Sequence, residues 1–267
     1  MKLAKERGVK VLLDGQGADE LLAGYHSYFG SYFAELLTTM QLKKLFQELK
    51  CYSNNHANSK FNILKQGIIY PIIFIIPYTV RNMIKGLLFT SWMKPSFNKI
   101  NKKKETTTIK YKNKFDNHLY TTLLITSLPA LLHYEDRNSM AFSIESHVPF
   151  LDYRLVEFIF SLPNNQKIRD GTTKVVLRNA MKGILPEEVR NRMDKMGFVT
   201  PEDIWFRTVA KDKVLEIINS DSFKKRKYFK VDKIKKEFYA HCKGKKNISS
   251  TIWRWINLEL WLRMFID

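Results

Sequence analysis

Short apolar runs alternate with polar, lysine-rich stretches along the chain, and their spacing predicts an α/β protein that is mostly helical. The run "VKVLL" at 9–13 is too apolar for a half-exposed strand, so we expect a short strand in the middle of a parallel sheet. Apolar positions then recur at helical spacing from residue 19 to about residue 50. Further helices are predicted over 119–143, from Asp152 to Pro163, after a cap at Thr172 or Thr173, and from residue 250, where Ile252, Trp255, Ile256, Leu260 and Leu262 should face the core.

The most apolar stretch is "GIIYPIIFIIPYTV", from Gly67 to Val80. It is shorter than the roughly 20 residues of a membrane-spanning helix, and two prolines interrupt it. We therefore predict a packed helix or a helical hairpin. The alternative is contact with a membrane surface, which the basic residues of the following "RNMIKG" would suit. Lysine-rich loops surround this stretch, and we interpret 51–117 as a variable insertion.

Composition narrows the class of protein. The chain has 267 residues, of which 45% are hydrophobic and 13% aromatic, so it can bury a core and is globular. Its formal charge of +19 would attract polyanions, but no module for reading bases accompanies it, so solvated lysine faces are favoured over nucleic-acid binding. Two distant cysteines give no disulfide framework or zinc site, which favours the cytoplasm.

The stretch "LLDGQGADELLAGY" places two glycines and several acids directly behind the predicted strand. Glycines at the carboxyl edge of a parallel sheet let the backbone approach a ligand, and backbone N–H groups there attract phosphate. The carboxylates of Asp19 and Glu20 suit phosphate once Mg²⁺ bridges them. The motif thus indicates a magnesium–nucleotide site, while a bare glycine turn with Asp19 as a helix cap is the structural alternative.

This motif resembles the second nucleotide motif of the glutamine-hydrolysing asparagine synthetase family. Four further stretches resemble that family in the same order: "EDRNSMAFSIESHVPFLD", "SLPNNQKIRDGTTKVVLRNAM", "ILPEEVRNRMDKMGFVTPEDIWF" and "WINLELWLRMF". Residues 9–30 and 130–207 carry most of the resemblance, and 51–117 carry little. The resemblance implies the carboxyl-terminal, mostly helical part of an ATP-pyrophosphatase (adenine nucleotide α-hydrolase-like) three-layer α/β fold.

The resemblance also implies a reaction: ATP adenylates aspartate, pyrophosphate leaves, and ammonia displaces AMP to give asparagine. Carried over by position, Asp14, Gly15 and Gly17 would contact ATP, Asp19 would be the Mg²⁺ carboxylate, and Lys195 in "DKMGF" would be the catalytic lysine. A fixed cation beside the phosphorus stabilises charge that appears only in the transition state.

Other charged residues receive open or structural interpretations. Lys174 and Arg178 are candidates for phosphate contact or, equally, for ion pairs on a helix surface. Asp136, Arg137 and Glu145 are predicted to form a buried polar network beneath the site, and Asp152 is predicted to cap a helix.

The chain also departs from the family pattern. No stretch resembles the first pyrophosphate loop, S-G-G-x-D-S, or the glutaminase domain that supplies ammonia, so we expect 1–267 to be a partial synthetase domain with little activity alone. Gln16 stands where many members carry glutamate, which puts its catalytic role in doubt because an amide is no base. A paralogue that aminates another carboxylate, a basic nucleic-acid- or membrane-binding protein without catalysis, and a homodimer all stay open.

Overall fold

The computed structural model describes residues 1–56, 65–76, 80, 92–94, 111–193 and 200–267. The chain forms two compact units, one of Met1–Pro77 with Thr106–Lys195 and the other of Tyr78–Glu105 with Met196–Asp267. No helix within the described ranges is long and apolar enough to cross a membrane. The predicted catalytic Lys195 lies outside the described residues.

The first unit is mostly helical, with two small two-stranded sheets in its described part. Its main core is a cluster of aromatic and aliphatic side chains that includes Phe29, Phe33 and Phe115. In chain order the elements are α1 (Lys2–Glu6), β1 (Val11–Leu13), α2 (Ala18–Leu21), α3 (Ser27–Thr38), α4 (Leu42–His56), a π-helical turn (Lys65–Ile69), α5 (Tyr70–Ile75), α6 (Lys114–Thr121), a second π-helical turn (Thr122–Thr126), α7 (Leu128–Met140), β2 (Glu145–His147), a 3₁₀ turn (Pro149–Leu151), α8 (Tyr153–Ser161), a 3₁₀ turn (Asn164–Gln166), β3 (Ile168–Arg169), β4 (Thr172–Thr173), α9 (Val175–Ala180) and α10 (Glu187–Arg190).

The predicted strand forms and is parallel, but it is not buried. β1 pairs with β2 in the register Leu12 to Ser146, and β2 is its sole partner among the described strands. Val11 is 45% exposed and Leu13 is 77% exposed, so the expectation of a central, covered strand is wrong for this structure. Parallel sheets are normally covered on both faces, so an apolar strand indicates that it can be buried. It does not show that the covering elements are present.

The helical region from residue 19 to residue 50 is three helices rather than one. The chain turns at Ala23 and at Met40, which both adopt left-handed conformations with φ of 57° and 58°. At the first break the Gly24 N–H donates to the Asp19 carbonyl at 2.8 Å, which satisfies a carbonyl at the end of α2. Helical periodicity continued across both breaks because α2, α3 and α4 each bury an apolar side. The predicted insertion at 51–117 overlaps α4, α5 and α6, and it stays a prediction.

A tight hairpin joins β3 to β4 through Asp170 and Gly171. Both turn residues are left-handed, with φ of 51° and 67°, as a two-residue hairpin with this twist requires. The buried carboxylate of Glu48 on α4 accepts from both of their N–H groups, at 3.1 and 3.0 Å. The hairpin is thereby fixed to α4.

The predicted threonine cap is wrong, because Thr172 and Thr173 form β4 itself. The residue that precedes α9 is instead Lys174, which has no side-chain capping bond. The predicted cap at Asp152 is confirmed, since its carboxylate accepts from the Arg154 N–H at 2.9 Å. The Arg154 side chain and backbone N–H lower the pKa of Asp152 to about 2.

The described part of the second unit is mostly helical, with one isolated β-bridge between Met93 and Phe229, and its core includes Trp255 and Phe238. The terminal helix buries Ile252, Trp255, Ile256 and Leu262 as predicted, whereas Leu260 faces solvent. The helix is apolar on more than one side, so periodicity could not choose which side packs. The elements are α11 (Glu202–Arg207), α12 (Lys211–Asn219), α13 (Asp221–Lys225), α14 (Val231–Cys242) and α15 (Ser249–Phe265).

Candidate functional site

The loop that follows β1 leaves an accessible rim at the end of the sheet. The Asp14 N–H extends the ladder by donating to the His147 carbonyl at 2.8 Å, and the Asp14 carboxylate then accepts from the Gln16 N–H at 3.2 Å. Gly15 is exposed, and a Cβ atom placed on it would meet no atom within 4 Å. Another molecule can therefore approach the backbone closely at Gly15.

Gly17 is required for a different reason. Its φ of +89° is left-handed, and an added Cβ would lie 2.9 Å from Cγ of Leu151. Any side chain at this position would be strained and crowded. Gly17 therefore turns the chain into α2 beneath the rim, while Gly15 leaves the rim open.

The two acids at the start of α2 point to different surroundings. Asp19 forms an ion pair with Lys174, with 2.6 Å between Oδ1 and Nζ, and the two side chains are 24% and 30% exposed. Glu20 is buried and accepts from the Tyr25 hydroxyl at 2.7 Å and the Ser127 hydroxyl at 3.1 Å. Burial and the adjacent Glu20 carboxylate raise the pKa of Tyr25, so this phenol stays protonated as the donor. Of the two acids, Asp19 alone is accessible at the loop.

Lys174 is held in place by its backbone as well as by its charge. Its φ of 57° and ψ of 34° are left-handed, a conformation that costs a non-glycine residue about 1 kcal/mol or more. Its N–H donates to the Leu22 carbonyl at 3.1 Å, which ties the start of α9 to the end of α2. Strained conformations of this kind persist where the surrounding structure holds them, often at functional sites.

Gly24 leaves the space in which the ion pair forms. A Cβ atom on Gly24 would collide with Oδ1 of Asp19 and would lie 2.6 Å from Cε of Lys174. The "AGY" at the end of the motif is therefore part of the site, because it lets Lys174 reach Asp19. Nothing in the sequence identified this partnership, since the two charged residues lie 155 positions apart in the chain.

Arg178, the other candidate for phosphate contact, serves the scaffold. Its guanidinium donates to the carbonyl oxygens of Thr173 at 2.8 Å, Arg192 at 2.8 Å and Arg190. Burial and the neighbouring Arg190 lower the pKa of Arg178. The side chain connects β4 to the segment 190–192, and each of its three nitrogen atoms donates to a backbone carbonyl.

The predicted buried network of Asp136, Arg137 and Glu145 is wrong, because all three side chains are exposed. Leu128 and Ser139 are the residues that α7 buries, and Asp136 and Arg137 lie outside that packed strip. Glu145 lies on the exposed face of the two-stranded sheet and contacts His147 at 3.1 Å. The predicted site residues Asp14, Gly15, Gln16 and Gly17 form the turn after β1, and Asp19 follows in the first turn of α2.

The site suits a cation that arrives with phosphates better than a free metal. In the described parts of the chain, no three His, Cys, Asp or Glu side chains lie close enough to hold a metal ion. Mg²⁺ in nucleotide sites is usually bound by one or two carboxylates, with phosphate oxygens and water as the other ligands. Asp19, in the first turn of α2 and four residues after the exposed Gly15, fits such a role.

Comparison with known proteins gives a consistent group of relatives. Residues 1–263 match the model of the family described as asparagine synthase. The chain is 27% identical to asparagine synthetase [glutamine-hydrolyzing] 1 of Bacillus subtilis over 99% of its own length and 42% of that protein. It is 38% identical to asparagine synthetase [glutamine-hydrolyzing] 3 of the same species over 30% of its length and 13% of that protein.

A second kind of relative is an amidase. The chain is 24% identical to amidase chry2 of Gibberella zeae over 79% of its length and 35% of that protein. The chain thus spans less than half the length of these curated relatives. Among solved structures, none matches the chain significantly.

Proposed function

The chain belongs to the asparagine synthase family, and we propose that its site takes part in the ATP-dependent amidation of a carboxylate, with aspartate as the first candidate. A carboxylate oxygen attacks the α-phosphorus of ATP, and pyrophosphate leaves. Ammonia derived from glutamine then attacks the acyl carbon, and AMP leaves as the amide forms. The three-layer ATP-pyrophosphatase fold belongs to the same proposal, and the parallel pair of β1 and β2 supports it.

The glycine loop is the proposed nucleotide contact. Gly15 lets the backbone approach ATP, Gly17 turns the chain into α2, and Asp14 braces the turn between them through the Gln16 N–H. Gln16 keeps the ability to hydrogen bond to a substrate but cannot accept a proton as a base, so a catalytic role for its side chain is limited to orientation.

The observation that carries the proposal is the ion pair between Lys174 and Asp19, which lies in the first turn of α2 after the exposed Gly15. Asp19 would hold the Mg²⁺ that accompanies the phosphates, and Mg²⁺ would neutralise their charge. Lys174 keeps the carboxylate at the loop in its present position. It also places a positive charge where a polyphosphate would bind, and fixed charges of this kind need no reorganisation when the reaction occurs.

Lys195 is the proposed catalytic lysine, by its position in "DKMGF". Its support from the described residues is indirect: Arg178 holds the carbonyls of Arg190 and Arg192, just before it in the chain. In this role the Lys195 ammonium would stabilise charge on the α-phosphate in the transition state.

The carboxylate acceptor is the finer part of the proposal. The relatives named asparagine synthetases favour aspartate as the acceptor. The relative named an amidase is a reason to test other acceptors as well. A panel of carboxylates with ATP, Mg²⁺ and ammonia, followed by AMP release in a reconstituted full-length form, would assign the acceptor.

Nucleotide binding tests the site directly, by titrating Mg²⁺–ATP into the purified chain and measuring heat. We expect Asp19→Asn to weaken binding about tenfold or more, because it removes the metal-binding charge. Gly15→Ala should fold normally, since its added methyl meets nothing, and should weaken binding by obstructing the rim. The matched control is Asp136→Asn, which neutralises an exposed carboxylate of the same unit that also lies near an arginine.

Two results would reject the proposal. The first is a wild-type chain that binds no Mg²⁺–ATP. The second is an Asp19→Asn variant that binds as tightly as Asp136→Asn, since the carboxylate would then contribute nothing to the nucleotide.

A further inference from the structure

Helix α5 packs closely on α3 through one side. A Cβ atom on Gly30 of α3 would lie 2.6 Å from Cβ of Tyr70 and 3.4 Å from the ring of Phe74. Pro71 is buried, and the Phe74 ring lies 4.8 Å from the His118 ring on α6. The predicted packed helix is therefore present in the described part of the apolar run, and its inward side is occupied.

The other side of this segment is a row of isoleucines in contact with solvent. Ile68, Ile69, Ile72 and Ile75 are 53%, 40%, 47% and 39% exposed. Their spacing is that of one helix face, and no polar side chain interrupts it. Continuous apolar faces of this kind mark interaction surfaces on soluble proteins. We call these four residues the isoleucine face.

The size and chemistry of the isoleucine face argue against a second protein as its partner. Four isoleucines exposed to this extent offer on the order of 300 Å² of apolar surface, well below the roughly 800 Å² that each partner buries in a standard interface. Purely aliphatic side chains also offer no directional contact, which protein interfaces normally combine with apolar ones. Contact with lipid hydrocarbon requires neither a large buried area nor directional contacts.

The charge of the chain favours an anionic partner over a neutral one. The chain carries a net charge of +19. The sequence that continues from α5, residues 77–110, holds eight lysines and arginines and one acid. Basic residues that follow an apolar helix in the sequence favour anionic lipid surfaces, where insertion and electrostatic attraction add.

We propose that the isoleucine face docks on the surface of an anionic lipid bilayer, with the helix lying in the interface. The inference goes beyond the synthetase site and does not depend on it. None of the four isoleucines contributes to the loop, to Asp19 or to Lys174.

Vesicle flotation tests the proposal with the full chain. Wild-type protein should float with vesicles of phosphatidylcholine mixed with phosphatidylglycerol, and much less with phosphatidylcholine alone. The variant Ile68→Asn/Ile72→Asn should lose about tenfold or more in partitioning, because two inserting side chains become polar. The matched control is Ile125→Asn/Ile184→Asn, which changes two exposed isoleucines of the same unit and should float like wild type. Circular dichroism confirms that each variant is folded.

Three results would overturn the proposal. They are a wild-type chain that does not bind anionic vesicles, a face variant that floats as well as the control variant, and a wild-type dimer in light scattering that Ile68→Asn/Ile72→Asn converts to monomer. The last result would assign the isoleucine face to a second copy of the chain.

Discussion

Replacing Gly171 by alanine tests how the hairpin positions Lys174. Gly171 is left-handed, and an added Cβ would lie 2.6 Å from the carbonyl carbon of Cys51 and from the amide nitrogen of Tyr52. These are backbone atoms of α4, so no rotamer change can relieve the contact. The hairpin would have to move away from α4 and stretch its bonds to Glu48.

The magnitude follows from two separate costs. The left-handed conformation costs alanine about 1–2 kcal/mol. Overpacking against the α4 backbone adds about 1–3 kcal/mol. The expected loss of unfolding free energy is therefore about 2–5 kcal/mol. Gly183→Ala is the matched control, because Gly183 has φ of +77° with no atom within 4 Å of an added Cβ, so only the first cost applies.

The assay is urea unfolding followed by circular dichroism, with hydrogen exchange at the Asp170 and Gly171 amides. Gly171→Ala should lower the unfolding free energy by about 1–3 kcal/mol more than Gly183→Ala does, and it should deprotect both turn amides. Because Lys174 follows the hairpin directly, Mg²⁺–ATP binding should weaken in Gly171→Ala as well. Equal destabilisation by the two alanines would refute the close contact between the hairpin and α4.

Two further changes probe buried charges. Burial lowers the pKa of Lys167 below 10.5, so between its folded and unfolded pKa values the unfolded chain binds the extra proton, and this one lysine contributes a rise of stability with pH. Lys167→Met should remove that contribution, so unfolding free energies at several alkaline pH values should rise less, or fall more, with pH in the variant than in wild type, and an unchanged pH slope would be the contrary result. Glu259 is fully buried and accepts from Arg226 at 3.0 Å and Arg263 at 2.9 Å. Glu259→Gln should therefore cost about 3 kcal/mol in urea unfolding, whereas Glu216→Gln, in an exposed ion pair, should cost less than about 0.5 kcal/mol; similar losses for both would contradict the buried network.

The sequence predicted the parts of the site that are contiguous in the chain. A strand followed by "DGQGADE" places Asp14, Gly15 and Gly17 in one turn, with Asp19 directly after it, whatever the rest of the fold does. The Asp152 cap was predictable for the same reason, since its acceptor and donor are two residues apart. Local hydrogen bonds and turn geometry need no knowledge of distant packing.

Contacts between distant residues were not predictable from one sequence. We predicted that Asp136 and Arg137 are buried, but their exposure depends on which face of α7 packs against the rest of the unit. The sequence does not show that face, because the helix carries apolar residues around much of its circumference. The burial of β1 failed for a related reason, because it depends on strands and helices beside it. Lys174 and Arg178 sit four residues apart with opposite roles, one at the loop and one in the scaffold.

The division of labour among these charges has a physical cause. A charged side chain can face a ligand only where other groups satisfy the hydrogen bonds of the surrounding backbone. Here Glu48 accepts from the amides of the β3–β4 turn, and Arg178 donates to the carbonyls of Arg190 and Arg192. Glu20 binds Tyr25 inside the fold, which leaves Asp19 as the carboxylate at the rim. Some charged side chains that resemble ligands in the sequence, such as Glu20 and Arg178, therefore stabilise the fold instead. Their bonds help to hold the loop after β1 and the segment after β4 in the positions where Asp19 and Lys174 can pair.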